Sequence, residues 1–463
     1  MRLYSVFLLI CLVIKITNIQ AKEYKIESAS ELEALVLKPG DKVILKSGLW
    51  TDQKLVIKGN GTKEKNIIFS GEGNGETIIS KGSTLLINGQ YLTVENLKFV
   101  DTNIPKGSVV FISKAAENCR LTNSVFLETT NSLLSKDSFF AWVTMYGRNN
   151  RVDHCYFKGK TNKGCTIVAE AEERPGYNRI DHNFFDYRPE LGMNGGESIR
   201  AGNWNTSMFS SHIIIEENIF KNCNGEIEII SNKSCDNIIR NNLFYESNGT
   251  ISLRHGKRAT VSGNIFIGNK KEGMGGVRVT GDGHRIFDNH FSGIIGTDFY
   301  APISFRNAWE NPPLHGYDQV KDCAVFSNTF INCGIPFYVG VGKDDKSFVV
   351  PVSTIIANNL IYGNEKALKV IESGHQLEII KNLVSSSSKE NGEGFIKEDL
   401  RLKSNNRLAY ISTSSSVKPY VFKNAKENHF GCKLSDELHV KLLDAKYIGP
   451  SWYPVAYNLV IVN

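Results

Sequence analysis

The sequence predicts an all-β fold, a single-stranded right-handed parallel β-helix with capped ends. Three observations carry that expectation. A short phrase recurs along the chain, built of a β-branched run, a polar residue, an Asn or small residue, and then an aromatic or aliphatic, as in Leu92-Thr93-Val94-Glu95-Asn96-Leu97-Lys98-Phe99. The phrase ends again at Phe126, Phe157, Phe185, Phe220, Phe244, Phe266, Phe291, Phe330 and Ile361, at intervals of 27, 31, 28, 35, 24, 22, 25, 39 and 31 residues. The apolar runs are short and rich in Val, Ile and Phe, which fits strands better than stacked helices. Repeats of this length, each too small to bury its own apolar face, stack as coils.

Composition agrees with a large folded chain. Of 463 residues, 41% are hydrophobic and 22% charged, with 40 Gly and only 12 Pro, far from disordered or collagen-like sequences. Residues 1–21 read as a secretory signal, with Arg2 ahead of an apolar run from Val6 to Ile14. That run is far short of the ~20 residues a membrane span needs, so no stable membrane insertion is expected. The expectation is a secreted or periplasmic protein whose mature chain begins near Lys22. Loss of Arg2 and Lys15 lowers the formal charge from +6 to +4. That surplus suits a polyanion, yet there is no block of like charge to argue for nucleic acid. Eight Cys remain beyond Cys11, with no Cys-x-x-Cys pair, and buried free thiols are the simplest state for them.

The parts follow in order. Ser28 to Leu37 reads as a short amphipathic cap, and Lys38-Pro39-Gly40-Asp41 as the opening of the first coil. Residues 22–385 form the solenoid and catalytic domain. Asn218, Asn242, Asn264, Asn289, Asn328 and Asn359 recur at one place in successive coils and are expected to stack as an amide ladder. The Phe that ends each phrase belongs to the core. After about Leu383 the pattern fades into Ser-rich text, so 386–463 is expected to supply final coils and a C-terminal cap.

Coil spacing converts sequence distance into geometry, because residues one coil apart lie about 4.8 Å from each other. Lys233, Arg254 and Arg278 are separated by 21 and 24 residues, matching the local coil lengths, and are expected to stack on one face. Glu226 and Glu228 share a face of one strand, since side chains alternate. Asn194-Gly195-Gly196-Glu197 precedes Glu226 by about one coil. An oxygen-rich cluster thus adjoins a cationic one. Trp142, Tyr146, Trp204, Tyr300 and Trp309 lie outside the repeated phrase and are candidates for stacking on sugar rings.

In these segments the chain resembles polysaccharide lyase family 6, the β-helix enzymes that include alginate lyases and the dermatan-sulfate-cleaving chondroitinase B. The matching stretches are Asn194-Gly195-Gly196-Glu197-Ser198-Ile199-Arg200-Ala201-Gly202, Glu226-Ile227-Glu228-Ile229-Ile230-Ser231-Asn232-Lys233-Ser234, Leu253-Arg254-His255-Gly256 and Gly276-Val277-Arg278-Val279. The resemblance implies β-elimination on an anionic uronate polysaccharide. It places Lys233 as general base, Arg254 as general acid, and Asn194, Glu226 and Glu228 as Ca2+ ligands. Calcium is a hard cation that takes oxygen ligands, and positive charge on the substrate carboxylate makes the neighbouring C5 proton easier to remove. Lysine is a base only where its surroundings disfavour the ammonium form. Arginine resists deprotonation, so Arg254 is an unusual acid on physical grounds and is equally suited to stabilising charge.

Arg278 suits a substrate carboxylate through its planar fork. His255 and Glu197 complete the expected substrate contacts, although His255 adjoins Arg254 and shares its face only if the strand bends. Glu197 follows the pattern of the alginate-cleaving members, where the chondroitinase-like pattern has Gly, so alginate is the expected substrate. The alternatives are a dermatan sulfate lyase, a β-helix glycoside hydrolase using Glu226 and Glu228, and a non-catalytic glycan-binding solenoid. A hydrolase would yield no unsaturated product, and a binding protein would not require Lys233 and Arg254 together.

Overall fold

The computed structural model describes residues 21–73, 75–129, 138–390, 392–404, 409–413, 415–422, 428–433 and 447–454. The segment expected to be a signal therefore lies outside the described residues, apart from Ala21. Among them no helix is long and apolar enough to cross a membrane.

The chain winds into a right-handed parallel β-helix whose three faces are parallel sheets of 14, 12 and 14 strands. One coil illustrates the rest. Ile214–Glu216 lies in the first sheet, Ile219–Cys223 in the third and Glu228–Lys233 in the second, before Ile238–Arg240 returns to the first. The pairing is parallel and largely in register, for example Ile214 with Ile238 and Phe220 with Phe244.

The sharp corner between the first and third sheets has a single recurring cause. The residue before each ladder Asn adopts a left-handed conformation: Glu217 (φ 54°), Asn241 (56°), Gly263 (65°), Asp288 (56°), Ser327 (54°) and Asn358 (57°). Most of these are not glycine, so the bend carries a steric cost that the next side chain offsets. Asn218, Asn242, Asn264, Asn289, Asn328 and Asn359 are fully buried. The amide oxygen of Asn242 accepts both the backbone N–H and the side-chain N–H of Asn218, each at 3.0 Å. The same pair of bonds repeats down the column, and Asn183 and Asn382 extend the ladder at either end. Each amide of the ladder is thus bonded, as burial requires.

Inside the solenoid the terminal aromatics form a continuous stack. Phe99, Phe126, Phe157, Phe185, Phe220, Phe244, Phe266, Phe291 and Phe330 follow one another with centroids 4.4–5.0 Å apart. Trp142 joins this core between Phe126 and Phe157 and is 2% exposed, so it is not a sugar platform. The eight cysteines among the described residues are free thiols, and all but Cys432 are buried.

The N-terminal end is covered by the helix Ala29–Glu33, with Ser28 as its N-cap and Leu32 tucked into the core. At the other end Phe395–Glu398 adds a last strand, followed by the antiparallel pair Leu400–Ser404 and Ala409–Thr413. The chain then turns back. Residues 447–454 lie across the outside of the third sheet, where Ile448, Trp452 and Tyr453 pack on outward-facing apolar residues such as Tyr156, Phe184 and Ile219. Trp452 donates its indole N–H to the Asn123 carbonyl at 2.9 Å.

Candidate active site

The outer face of the second sheet carries the site. In the strands Ile199–Gly202, Glu228–Lys233, Gly249–His255 and Met274–Val279, the residues Ile199, Ile230, Ile251 and Val277 point into the core. Alternation then turns Arg200, Ser231, Ser252 and Arg278 outward in one register column. The two small serines leave the floor low, and the Glu228 carboxylate occupies the space, accepting from the Ser231 hydroxyl and pairing with Arg278.

Two chain segments meet beside it. Gly196 and Gly225 touch backbone to backbone, and a Cβ on Gly196 would lie 2.4 Å from the Gly225 carbonyl carbon. This contact, closed to any larger residue, brings Glu197 and Glu226 together. Carboxylate oxygens of Glu197, Glu226 and Glu228 all lie within 4.8 Å of one another. Below them the buried Arg188 guanidinium donates to the carbonyls of Gly164 (2.9 Å) and Gly195 (3.1 Å), tying the loops of adjacent coils.

Electrostatics sets Glu226 and Glu228 apart. Burial, reinforced by Glu197 and Glu228, pushes the Glu226 carboxyl up to about 9. Burial also works against the Glu228 carboxylate, but Arg278 and Lys233 outweigh it and hold Glu228 below its ordinary value. The buried Glu226 Oε1 has no hydrogen-bond partner among the described residues. An orphaned carboxylate oxygen among three clustered acids fits a hard divalent cation, and the group could hold a metal ion.

The cations line the opposite side. Lys233 Nζ lies 3.8 Å from Glu197 and 3.9 Å from Glu228, and Arg254 Nε lies 4.0 Å from Glu228. The structure thus gathers Lys233, Arg254 and Arg278 around one carboxylate, though not in the simple column that spacing predicts. Lys233 is in register with His255, and Arg254 is an extra residue in a bulge. Arg278 is in register with Ser252, two residues earlier, so it reaches Glu228 from the same face at a different height. The bulge also supplies the bend that lets His255 join the site, with Nδ1 3.4 Å from Arg254 Nη1. Burial, with Arg254 and Lys233 nearby, lowers His255 to about 3, so the imidazole is neutral. Burial likewise lowers Arg254.

Glu197, expected as a substrate contact, is the third carboxylate of the cluster. Asn194 sits exposed just before Gly195, at the start of the loop that carries Glu197. Sequence reasoning missed Arg188, Gly225, Arg306 and Tyr317. The last two belong to the coil with the longest interval, 39 residues, which was the available signal of an insertion.

Comparison with known proteins agrees with this geometry. The Chondroitinase B family model matches residues 26–423. A PL6 family alginate lyase, AlyGC, is 31% identical with a TM-score of 0.82, covering 93% of this chain and 59% of its own. The chain thus spans 59% of the length of that relative. A mannuronic-acid-specific polysaccharide family 6 lyase from human gut microbiota is 30% identical, with a TM-score of 0.75 and coverage of 93% and 97%. The PL6 family polysaccharide lyase Pedsa3628 from Pseudopedobacter saltans shares the fold at 24% identity, TM-score 0.72, covering 93% of this chain and 100% of its own. No curated protein sequence matches significantly. Family match, solenoid and clustered acids and bases agree, and the chain belongs to polysaccharide lyase family 6, the family of alginate lyases and chondroitinase B.

Proposed function

We propose that the protein is a calcium-assisted lyase that cleaves alginate by β-elimination. The observation that carries this reading is the convergence of Lys233, Arg254 and Arg278 on Glu228, one of three carboxylates within 4.8 Å of one another. Glu226, Glu228 and Glu197, with Asn194 adjacent, are the residues that would hold calcium, and a bound cation supplies the positive charge that neutralises a uronate carboxylate. Lys233 takes the C5 proton onto Nζ. The C5–H electron pair becomes the C4=C5 double bond, the C4–O4 bond breaks, and Arg254 stabilises the charge on the departing oxygen, which becomes a hydroxyl by taking a proton from solvent water. Neutral His255 backs Arg254 without adding charge, and Arg278 keeps Glu228 ionised and presents its remaining N–H groups to a substrate carboxylate.

Glu197 favours alginate over dermatan sulfate. Its carboxylate adds negative charge to the site, which suits a chain bearing only carboxylates better than one bearing sulfates as well. The reading includes export of the protein after removal of residues 1–21. The test is incubation with alginate and with dermatan sulfate, with and without a chelator, following the ultraviolet absorbance of the new double bond. An absorbance rise on alginate that the chelator suppresses and calcium restores is the expected result. Cleavage without that rise would point to hydrolysis and overturn the proposal.

A further inference from the structure

Among the described residues Arg254 has no close carboxylate partner of the kind that anchors Arg278, and it meets Glu228 only at 4.0 Å. A long cationic side chain held so loosely would sample several rotamers. It is held from another direction. Its Nη1 donates to the Gly316 carbonyl at 3.2 Å and its Nη2 lies 3.5 Å from the His315 carbonyl. Its guanidinium carbon stands 3.8 Å from the centroid of the Tyr317 ring, and that ring also takes Arg306 at 3.7 Å. Contacts of this kind between a guanidinium and an aromatic face are attractive, most so when partly desolvated.

The segment that carries Tyr317 is itself braced. Trp309 donates its backbone N–H to the Tyr317 carbonyl at 3.0 Å and meets the Tyr317 ring edge-on at 5.7 Å. Trp309 Nε1 and Arg306 Nη2 both donate to Ser347 Oγ, at 3.1 and 3.2 Å, joining this insertion to the next coil's loop.

We infer that Tyr317 is a positioning residue that fixes the Arg254 guanidinium over the reacting atoms through its ring face. The inference rests on the lyase reading above for its catalytic consequence, but the positioning itself is testable apart from activity. The experiment compares the full-length protein with Tyr317→Phe and Tyr317→Leu in two measurements. In the first, phenylglyoxal labelling of Arg254 is mapped by mass spectrometry. Labelling is expected to rise about tenfold in the Leu variant and stay near wild type in the Phe variant, which keeps the ring. In the second, kcat on alginate is expected to fall about a hundredfold in the Leu variant, with KM changed far less and the Phe variant close to wild type. Thermal unfolding is followed alongside, and Tyr317→Met serves as a bulkier ring-free variant should the Leu variant melt early. Equal labelling in all variants overturns the inference even where the lyase assay succeeds. A Phe variant as impaired as the Leu variant also overturns it, because the hydroxyl would then be the working group. Differential labelling with a flat lyase assay supports the positioning and overturns the functional reading alone.

Discussion

Gly196 and Gly225 lie so close that a Cβ on Gly225 would stand 2.2 Å from the Gly196 carbonyl oxygen and 2.6 Å from Arg188 Nε. The neighbours are backbone and a buried guanidinium held through its Nη atoms by the Gly164 and Gly195 carbonyls and the Thr166 hydroxyl, so neither gives way cheaply. Gly225→Ala is therefore expected to separate Glu197 from Glu226, costing about 1–3 kcal/mol of stability. Calcium affinity should weaken with it. Titration calorimetry and chemical denaturation of the same variant check both, and unchanged calcium binding would contradict the placement of the two carboxylates.

Lys233 projects from the outer face of its strand and contributes little to the core. Lys233→Ala is expected to lower kcat by about a hundredfold or more while leaving the melting temperature within a few degrees of wild type. Near-full activity in that variant would remove Lys233 from the role of base.

The ladder Asn264 accepts from the Asn242 backbone at 3.0 Å and its side chain at 2.9 Å, and donates to Asn289 and to the Ile239 carbonyl. Asn264→Ala leaves several of these buried groups without partners. The expected loss is about 2–4 kcal/mol in denaturant unfolding, with the first-to-third-sheet corner most affected. An outward-facing polar residue such as Ser262 replaced by Ala serves as the control.

His182 stacks on His154 and lies 2.7 Å from both Asp181 and Glu217. Burial works against its charge, but the two carboxylates outweigh it and raise the imidazole from 6.5 to about 9. A group raised in the folded state stabilises fully below its unfolded value and loses that contribution as pH rises through the folded one. Thermal unfolding across the window from 6.5 to about 9 is thus expected to show a loss of stability that His182→Gln reduces. The same slope in both proteins would exclude His182 as its source.

Much of this architecture was legible in the sequence because it repeats. The Asn column and the Phe stack recur through successive coils, so each instance reinforces the others, and the acidic and basic segments sit at coil-compatible distances. What was not legible depends on breaks in the repeat. An extra residue places Lys233 opposite His255, and a separate irregularity between Gly249 and Ile251 accompanies the pairing of Arg278 with Ser252, slips too small for interval counting to resolve. Arg188 reads as an ordinary surface cation until the loops it ties are seen to close over it. Tyr317 lies in an insertion whose length is visible but whose direction of folding is set by Trp309 and Ser347, far apart in the chain.

The return of residues 447–454 over the middle coils has a consequence for biogenesis. The greasy outer strip of the third sheet is made early in translation, whereas Ile448, Trp452 and Tyr453 emerge hundreds of residues later. Until then the nascent solenoid carries an uncovered adhesive flank, and any ribosome stall or proteolytic clip upstream of Tyr447 leaves it so. Quality control that senses exposed apolar surface would therefore read the arrival of the tail as the end of assembly.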